Sequence, residues 1–395
     1  MKSSGSNGAI MRWWPTCSMP MPHPRRPTKS PIGTCRPWRP PYAAVPTPGS
    51  GATNAGNMPE IAVAILNWNG RQLLERFLPG VLRLSPEARL YVIDNASEDD
   101  SRSWLAENYP EVVCLHLEEN RGYAGGYNRG LKQIPEELVV LLNSDVRVSQ
   151  GWLQALLHRF HTDPHLAALQ PKIRDEKKAE YFEYAGAAGG FIDRWGYPFC
   201  RGRIFDALER DKGQYDQYRE VFWATGACLV VRKSAYWAVG GLDEHLFAHM
   251  EEIDLCWRLQ NHGHRVACEP ASVVYHLGGA TLQHAAPHKT FLNFRNNLCI
   301  LFLNLPTTEA LPVILARLFL DGLAGLQFLL QGRFPHFWAV IRAHFAFYGD
   351  FSRLSRQKLG RPTQAWGLLK GVYPGFLVGD FFLRQRRRFR DLPHF

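Results

Sequence analysis

Three carboxylates stand within four residues in the segment Glu251-Glu252-Ile253-Asp254. The surrounding pattern predicts a helix from about Met250 to Asn261, and carboxylates in its first turn would interact favourably with the helix dipole. The crowding also has a chemical use, because neighbouring carboxylates raise one another's pKa, and a carboxylate within reach of a hydroxyl can act as a general base. The residues alone leave both roles open.

A second segment with potential chemistry, Asn143-Ser144-Asp145, follows five apolar residues at 138–142. Oxygen ligands at the end of a strand suit Mg²⁺ or Mn²⁺, which usually share them with substrate phosphates. The alternative is that Asp145 only caps the following helix. His245 and His249 have i,i+4 spacing, but the Glu of the H-E-x-x-H motif is absent, which argues against a zinc hydrolase.

Residues 120–130 form a glycine-rich turn that leads into a predicted helix, with the sequence Asn-Arg-Gly-Tyr-Ala-Gly-Gly-Tyr-Asn-Arg-Gly. Glycines let the backbone approach a phosphate or a ring, and the start of a helix favours an anion. The spacing does not fit the dinucleotide fingerprint G-x-G-x-x-G, and the chain has no P-loop motif, so both of these enzyme classes are disfavoured. A flexible loop is the alternative, but it leaves the two bracketing asparagines unexplained.

Elements that can position these groups begin at residue 61, where strands start to alternate with helices. The predicted order is a strand at 61–66, a helix at 71–84, a strand at 90–93, a helix at 98–108 capped by Ser97, a strand at 112–117, a helix at 124–133 and a strand at 138–142. Alternation with continuously apolar strands indicates an α/β fold with a mostly parallel sheet and helices on both faces.

Polar residues collect where such a fold binds ligands, which is beyond the carboxyl ends of the strands. The four strand ends carry Asn-Trp-Asn-Gly at 67–70, Asp-Asn-Ala-Ser at 94–97, Glu-Glu-Asn-Arg-Gly at 118–122 and Asn-Ser-Asp at 143–145. One such end would be an ordinary turn, whereas four in succession predict one polar crevice. Further strands are expected at 223–231 and 265–280, the second of which contains His276.

The distribution of charge and cysteine limits the function classes. The net charge is +10, but residues 1–57 hold seven basic and no acidic residues, and residues 351–395 hold ten basic and two acidic ones. The remainder is therefore mildly acidic, which disfavours nucleic acid as a partner. The eight cysteines include no C-x-x-C pair, which argues against a zinc ribbon or a small disulfide scaffold and favours reduced thiols in the cytoplasm.

Composition divides the chain into three predicted regions. Residues 1–57 are basic and Pro-rich without an apolar run of signal-peptide length, so we expect a disordered leader, with a transit peptide or a true start at Met58 as alternatives. Residues 58–285 contain the α/β domain. Residues 286–395 are expected to be helical, aromatic and basic. The sequence contains no stretch of 18 or more uncharged apolar residues, so a simple membrane-spanning helix is not predicted.

The C-terminal region has two possible environments. Its apolar helices and the arginine cluster at 384–390 favour peripheral attachment to an anionic membrane surface, on the inner face of the cell membrane. Arg317 and Asp321 interrupt the most apolar stretch and have i,i+4 spacing, so they can pair on one helix face. The alternative is a helical subdomain that packs on the α/β domain and leaves the arginines solvated.

In this order the segments resemble glycosyltransferase family 2, the inverting sugar transferases of GT-A fold, and within it the rhamnosyltransferase-like branch. The similarity runs from about residue 61 to residue 281. It rests on segments 66–70, 94–99, 120–126, 143–145, 225–227 (Thr-Gly-Ala), 240–244 (Gly-Gly-Leu-Asp-Glu) and 251–254 and on His276. The resemblance implies the nucleotide-diphospho-sugar transferase fold, a Rossmann-like, mostly parallel sheet with flanking helices, followed here by a C-terminal helical region.

The resemblance also implies a role for each matching position. The catalytic base maps onto Glu252, with Glu251 as the alternative because the family usually has Glu-Asp at this pair. Asp145 and His276 would bind Mg²⁺ or Mn²⁺. The implied acceptor-binding residues are Thr225, Gly226, Asp243 and Asp254. The implied nucleotide-sugar-binding residues are Asn67, Asn69, Asp94, Asn95, Ser97, Asn120, Gly122, Gly126, Asn128, Asn143 and Ser144.

The implied activity is metal-dependent, inverting transfer of a sugar, at family level rhamnose, from a dTDP- or UDP-linked donor to a lipid-linked or cell-surface glycan, as in polysaccharide and cell-wall biosynthesis. A single displacement needs one carboxylate base and a cation on the leaving diphosphate. One alternative is a non-catalytic sugar-nucleotide or glycan-binding protein on the same fold. Another is a sugar-phosphate nucleotidyltransferase, but the segment at 67–70 lacks the phosphate-binding signature which that class needs after its first strand.

Overall fold

The chain folds around two β-sheets in a computed structural model that describes residues 61–278 and 287–394. The predicted leader at 1–57 and the alternative start at Met58 lie outside the described residues. The strands are β1 Ile61–Asn67, β2 Ala88–Asp94, β3 Val113–His116, β4 Leu138–Asn143, β5 Val146–Val148, β6 Leu166–Asp175, β7 Gly190–Asp193, β8 Pro198–Cys200, β9 Arg203–Ile204, β10 Ala207–Leu208, β11 Arg219–Glu220, β12 Cys228–Arg232, β13 Arg265–His276 and β14 Val372–Tyr373.

Helices surround both sheets and form most of the C-terminal region. They are α1 Arg71–Leu84, α2 Ser101–Asn108, α3 Gly122–Leu131, α4 Trp152–Thr162, α5 Lys233–Ala238, α6 Glu251–Asn261, α7 Pro287–Asn304, α8 Thr307–Leu330, α9 Phe334–Gly349, α10 Phe351–Lys358 and α11 Leu377–Phe382. The predicted strands and helices before residue 145 are all present, with ends that differ by a few residues.

The larger sheet has the strand order β11-β13-β6-β12-β4-β1-β2-β3, and β5 pairs with β13 outside that path. Strands β4, β1, β2 and β3 are parallel, so their carboxyl ends meet at one edge of the sheet. Strand β12 runs antiparallel to β4 and β6. The prediction of an α/β fold with a mostly parallel sheet is confirmed.

Two apolar layers cover the larger sheet. One face packs against α1, α2 and α4, and the other packs against α3, α5 and α6. All seven residues of β1 are buried, as expected for a central parallel strand covered on both faces. Because helices pack on both faces, the sheet holds the side chains at its edge in fixed positions.

The C-terminal region packs on this platform as part of the same hydrophobic core. Strand β14 extends the smaller sheet beside β7, and the sheet order there is β10-β9-β8-β7-β14. The side chains of Phe389 and Leu392 are buried in the core that also contains the α3 side of the larger sheet. The predicted boundary between 285 and 286 stays a prediction, and residue 286 lies outside the described residues.

Candidate active site

A cleft opens beyond the carboxyl ends of β1 and β4, where the sequence predicts a polar crevice. Its lining residues are Leu66, Trp68, Gly70, Leu73, Tyr123, Asn143, Ser144, Asp145, Ala185, Thr225, Gly226, Ala227, Ala248, His249, Glu251, Glu252 and His276. The cleft therefore brings together the predicted general base and its alternative, Glu252 and Glu251, with both predicted metal ligands. It also contains Asn143, Ser144, Thr225 and Gly226. These segments are distant in the sequence, and the sheet brings them together.

Strand pairing explains why Asp145 and His276 are neighbours. Strand β5 pairs antiparallel with the end of β13, in a register that places Val146 opposite His276. The backbone N–H of Leu277 donates to the carbonyl of Asp145 over 3.0 Å, which closes the arrangement. The Nε2 atom of His276 lies 3.1 Å from Oδ1 of Asp145. Both side chains are almost fully buried.

Glu183 completes this group on the other side of the imidazole. Its Oε1 atom lies 3.2 Å from Nδ1 of His276, and its other carboxylate oxygen accepts from the backbone N–H of Ala185. Burial opposes a charge on His276, but the carboxylates of Asp145 and Glu183 together raise its pKa well above the usual value. Burial likewise opposes the charge on Asp145, yet the adjacent imidazole brings the pKa of that carboxyl below its usual value.

The donor set fits a divalent cation that is shared with a substrate. Once a cation displaces the proton on Nε2 of His276, Nδ1 would keep its proton beside Glu183, and Nε2 would supply the lone pair that a metal requires. Asp145 would supply a carboxylate oxygen next to it. Across residues 61–278 and 287–394, no three His, Cys, Asp or Glu side chains are grouped to bind a metal ion by themselves. Further ligands would come from phosphate oxygens and water, as is common for Mg²⁺.

Glu251 and Glu252 enter the cleft at the amino end of α6, behind a strained loop. Three non-glycine residues there, Phe247, His249 and Met250, have positive φ angles of 64°, 69° and 74°. Phe247 forms a γ-turn, since the N–H of Ala248 donates to the carbonyl of Leu246 over 2.8 Å. Such backbone conformations cost about 1–3 kcal/mol each and occur frequently at functional sites.

The two glutamates carry unpaired carboxylate oxygens. Oε2 of Glu251 and Oε2 of Glu252 are both buried and accept no hydrogen bond. Burial raises the pKa of Glu252 to about 7. Burial and the neighbouring Glu252 raise the pKa of Glu251 well above its usual value. A carboxylate whose pKa lies near neutrality is suited to accept a proton in a reaction.

The carboxyl ends of β1 and β2 pair with Asn67 opposite Asp94, and neither of these residues is among those that line the cleft. The Nδ2 group of Asn67 donates to Oγ of Ser97 over 3.2 Å, and the same Oγ accepts from the N–H of Asn69 over 3.0 Å. Oδ1 of Asn67 and Oδ1 of Asp94 are buried and accept no hydrogen bond. Burial opposes the charge on Asp94, but His116, Ser97 and nearby Arg102 lower its pKa.

Gly70 follows this segment and has a packing reason to be glycine. A Cβ atom there would lie 2.4 Å from Oδ1 of Asn67. Ser97 does not cap α2, as the sequence predicted, because its hydroxyl bonds to the β1 end instead and the helix begins only at Ser101. The expected cap is thus replaced by a link between two strand ends.

The glycine-rich turn is fixed by Asn95. Its Nδ2 donates to Oδ1 of Asn120 over 2.9 Å and to the carbonyl of Gly122 over 3.1 Å, while its Oδ1 accepts from the N–H of Arg121. Gly126 lets α3 approach the sheet, since a Cβ there would lie 2.6 Å from Leu66. The binding roles implied for Asn95, Asn120, Gly122 and Gly126 stay predictions, because these contacts shape the turn and involve no ligand.

Asn128, Asp243 and Asp254 are not among the residues that line this cleft, and the binding roles implied for them stay predictions. The side chain of Asn128 bonds to Leu242 and Tyr236, away from the cleft. Asp243 caps the turn after it by accepting from the N–H of His245. Asp254 is fully buried and pairs with Arg258, Asn304 and Arg361. Their polar atoms have intramolecular partners in this structure.

The structure adds Tyr123, Glu183 and His249 to the site. Tyr123 donates through its hydroxyl to the carbonyl of Gly226 over 2.8 Å. Burial and the positive charges of Lys289 and His288 lower the pKa of His249 to about 3, so its imidazole is neutral at the cleft. Tyr123 stands in the glycine-rich motif and His249 directly precedes the glutamates, so both could be found from sequence, but no motif marks Glu183.

The chain is similar in sequence to known glycosyltransferases. The family model Glycosyl transferase family 2 matches residues 62–240. The chain is 32% identical over 232 residues to N-acetylglucosaminyl-diphospho-decaprenol L-rhamnosyltransferase of Mycobacterium tuberculosis, covering 54% of this chain and 75% of that protein. It is 22% identical over 242 residues to the low-salt glycan biosynthesis hexosyltransferase Agl10 of Haloferax volcanii, covering 60% of this chain and 74% of that protein.

Solved structures also overlap with the chain. The crystal structure of GalNAc-T7 with UDP, GalNAc and Mn²⁺ has a TM-score of 0.49 at 16% identity, and the match covers 64% of this chain and 49% of that one. The mannosyltransferase PcManGT from Pyrobaculum calidifontis, in complex with GDP-Man and Mn²⁺, has a TM-score of 0.45 at 14% identity and covers 79% of this chain and 84% of that one.

Proposed function

We propose, on the premise that the chain belongs to glycosyltransferase family 2 and uses a nucleotide-sugar donor, that it is a metal-dependent enzyme that inverts the anomeric carbon. The observation that carries this proposal is that Asp145 and His276 line the same cleft as Glu251 and Glu252. Leaving-group stabilisation and proton removal are the two requirements of a direct displacement, and one cleft provides residues for both.

Glu252 is the proposed base. The acceptor oxygen forms a bond to the anomeric carbon as the bond from that carbon to the diphosphate oxygen breaks, and the electron pair stays on the diphosphate. The proton of the acceptor hydroxyl passes to the carboxylate of Glu252, whose Oε2 has no competing partner. Glu251 is the more deeply buried member of the pair, and burial together with the neighbouring Glu252 raises its pKa, which favours its protonated form.

Asp145 and His276 are the proposed ligands of Mg²⁺ or Mn²⁺. The cation would supply positive charge that stabilises the leaving diphosphate. The imidazole ligand favours Mn²⁺, since Mg²⁺ prefers oxygen. The Nδ2 atom of Asn143 lies 3.5 Å from Nε2 of His276. Because Asn143 carries an amide, Asp145 supplies the carboxylate in the segment 143–145.

The donor nucleoside is proposed to bind at the ends of β1 and β2. The open oxygens of Asn67 and Asp94 can accept hydrogen bonds from a base N–H and from ribose hydroxyls. A dTDP- or UDP-linked sugar meets both requirements, since thymine and uracil carry an N–H donor. The name of the mycobacterial relative supports rhamnose as the sugar and a lipid-linked glycan as the acceptor.

We propose a location on the cytoplasmic face of the cell membrane, with α8 and α9 as the contact surface. Within the described ranges, α8 is long and apolar enough to cross a membrane by length and composition. Arg317 and Asp321, however, pair on its buried side, and Arg317 also donates to the carbonyl of Trp195. The helix is therefore tied to the domain, and its other side is free to lie on lipid.

That other side is strongly apolar and continuous with α9. Its exposed large side chains are Leu311, Leu315, Leu318, Phe319, Leu323, Leu326 and Leu330 on α8 and Phe334, Trp338, Phe345 and Tyr348 on α9. A surface of this kind marks a lipid or protein contact. The arginine cluster is in part engaged otherwise, because Arg384 and Arg386 pair with Asp380. Free thiols at all described cysteines agree with a reducing compartment.

A donor panel tests the reaction. Purified protein is incubated with UDP-, dTDP- and GDP-linked sugars and Mg²⁺ or Mn²⁺, and release of nucleoside diphosphate is measured with and without a lipid-linked acceptor. We expect one donor class to turn over, and chelation of the metal should abolish turnover. Tight donor binding without any transfer would instead support a non-catalytic binding protein.

Vesicle flotation tests the location. We expect the double substitution Leu315→Asp and Phe319→Asp to abolish flotation with vesicles of phosphatidylethanolamine and phosphatidylglycerol. Leu368→Asp is the matched control, because Leu368 is similarly exposed but lies outside α8 and α9. Loss of flotation in a variant with Arg387→Ser and Arg390→Ser, two exposed arginines of the tail, with the double variant unaffected, would move the contact to the basic tail.

A further inference from the structure

The loop before the catalytic glutamates is held by a residue pair from outside the α/β domain. Asn296 on α7 is fully buried, and its Nδ2 group lies 2.9 Å from the carbonyl of Leu246, 2.9 Å from that of Ala248 and 2.8 Å from that of His249. Arg295 lies beside it and donates to the carbonyl of Leu246 and to that of His245 over 3.3 and 3.0 Å.

The two side chains also hold each other. Oδ1 of Asn296 accepts from Nε and Nη2 of Arg295 over 2.9 and 2.6 Å. The amide of Asn296 is thereby oriented, with its acceptor turned to the guanidinium and its donor turned to the loop. Four carbonyls of the loop 245–249 thus receive hydrogen bonds from two adjacent residues of one helix. We call this pair the carbonyl clamp.

The clamp acts at the strained part of the backbone. The carbonyls to which it donates lie on both sides of Phe247, and one of them belongs to His249. Phe247 and His249 are two of the three loop residues with positive φ. The next residue, Met250, begins α6 in a left-handed conformation, without a side-chain cap. A strained conformation persists only where its surroundings determine it. The clamp supplies those surroundings from one side, and Gly122 packs against Phe247 from the other.

We propose that Asn296, oriented by Arg295, is a positioning residue for the base: it holds the 245–250 loop in the strained form that directs Glu252 into the cleft. The proposal rests on the proposed function, because it concerns the base of that reaction. It assigns a catalytic contribution to α7, which lies beyond the residues matched by the family model. A relaxed loop would rotate the first turn of α6 and let water reach the glutamates.

The adjacent residue provides a matched control. Asn297 is also a fully buried asparagine on α7, but it donates to the carbonyl of Gly196 over 2.7 Å and accepts from Arg317, both outside the loop. Asn296→Asp replaces the donor with a carboxylate that faces several carbonyls, whereas Asn297→Ala removes a bond of similar burial elsewhere. Asn296→Ser keeps one donor and serves where the aspartate variant folds poorly.

Three measurements test the proposal. In Asn296→Asp, or in Asn296→Ser if that variant is needed, kcat should fall by about 100-fold, as misplacement by about 1 Å can cause. The KM for the donor should stay within about threefold of the wild type, because the donor site is built on β1 and β2. The acid limb of the kcat profile should move to lower pH, since hydrated glutamates ionise more readily.

Hydrogen exchange separates this proposal from the proposed function. Amides of 247–252 should exchange faster in the Asn296 variant than in the wild type and in Asn297→Ala, whether or not transfer is observed. Equal kcat losses in the two variants, or an unshifted acid limb, would reduce Asn296 to a general stabilising role and overturn the proposal. Wild-type protein without transfer but with the expected exchange pattern would refute only the function.

Discussion

The two sides of the cleft treat their carboxylates in opposite ways. On the side of β4 and β13, Asp145 and Glu183 flank His276 at 3.1 and 3.2 Å, so each carboxylate has a positive or polarisable neighbour. On the side of α6, Glu251 and Glu252 each leave a buried oxygen without a partner. The first arrangement suits the binding of a cation, and the second suits the uptake of a proton.

The difference follows from electrostatics rather than from residue type. Burial disfavours the charged form of every carboxylate, and a nearby positive group can reverse the effect. Burial opposes the charge on Asp145, but His276 and backbone hydrogen bonds together outweigh it, so the pKa of Asp145 is lowered. The pKa of Glu252 is raised to about 7 because no such group compensates. A single cleft therefore holds an ionised carboxylate and a titrating one.

Removal of the proposed base should have the largest effect. We expect Glu252→Gln to reduce kcat by about 10²–10⁴-fold, because the amide keeps the shape but cannot take up the proton. The dissociation constant of the donor, measured by calorimetry, should change little. Glu251→Gln is the paired control and should lose less activity. A reversed order of the two losses would assign the base to Glu251.

Removal of the carboxylate on the cation side should come next. Asp145→Asn should lower kcat/KM by about 10²–10³-fold, through weaker stabilisation of the charge on the leaving group. The dependence on Mn²⁺ should move to higher concentration. Asp163→Asn, at an aspartate outside the cleft that pairs with Arg265, should keep wild-type kinetics. Wild-type metal dependence in Asp145→Asn would remove this residue from the ligand set.

Glu183→Gln should produce a smaller and different defect. The glutamine keeps a side chain beside Nδ1 of His276 but loses the charge that polarises it, and such changes weaken metal binding by about 10–100-fold. Because Glu183 acts through His276, saturating Mn²⁺ should restore kcat. A loss that persists at saturating Mn²⁺ would indicate that Glu183 contacts the substrate instead.

The contrast between the two sides also shows what the sequence could predict. The position of Asp145 in the cleft is predictable, because β4 is continuously apolar and a polar residue just beyond its end must lie at the sheet edge. Glu183 was not found because it stands in a segment without regular periodicity, between β6 and β7. Only the folded chain brings it to His276, so local pattern carries no signal of that contact.

The same reasoning explains why Asp243 and Asp254 do not line the cleft. Asp254 stands in the acidic segment at the start of α6, where spacing cannot distinguish it from Glu252. Its partners Asn304 and Arg361 come from the C-terminal region, which no motif connects to α6. The predicted α/β order depended on local apolar patterns and was confirmed. The roles of individual carboxylates depend on distant partners, and for these the sequence was insufficient.

The acid limb of the pH profile sharpens the difference between Glu251 and Glu252. Transfer needs the ionised base, so kcat should fall as pH decreases through about 7, by about tenfold per pH unit below that value. Glu251→Gln should leave this limb in place, because burial is the main cause of the raised pKa of Glu252. A limb near pH 4.5 would show that Glu252 is well hydrated and would contradict its unpaired, buried state.

The smallest effect concerns stability, and its sign follows from proton linkage. The pKa of Glu252 is about 7 in the folded chain against an ordinary value of 4.5, so the folded state binds the extra proton between these values. Stability from this group is fully present below pH 4.5 and is lost as pH rises through 7. Glu252→Gln should therefore change the free energy of unfolding more favourably at pH 8 than at pH 5, by about 1–3 kcal/mol. Denaturant titrations at the two pH values measure this difference.

Glu118→Gln, at an exposed glutamate, is the control and should show no such pH dependence. If the pH dependence of the free energy of unfolding is the same in both variants, the buried carboxylate of Glu252 does not destabilise the folded chain at high pH. The two sides of the cleft would then not differ in the way that their carboxylates are stabilised.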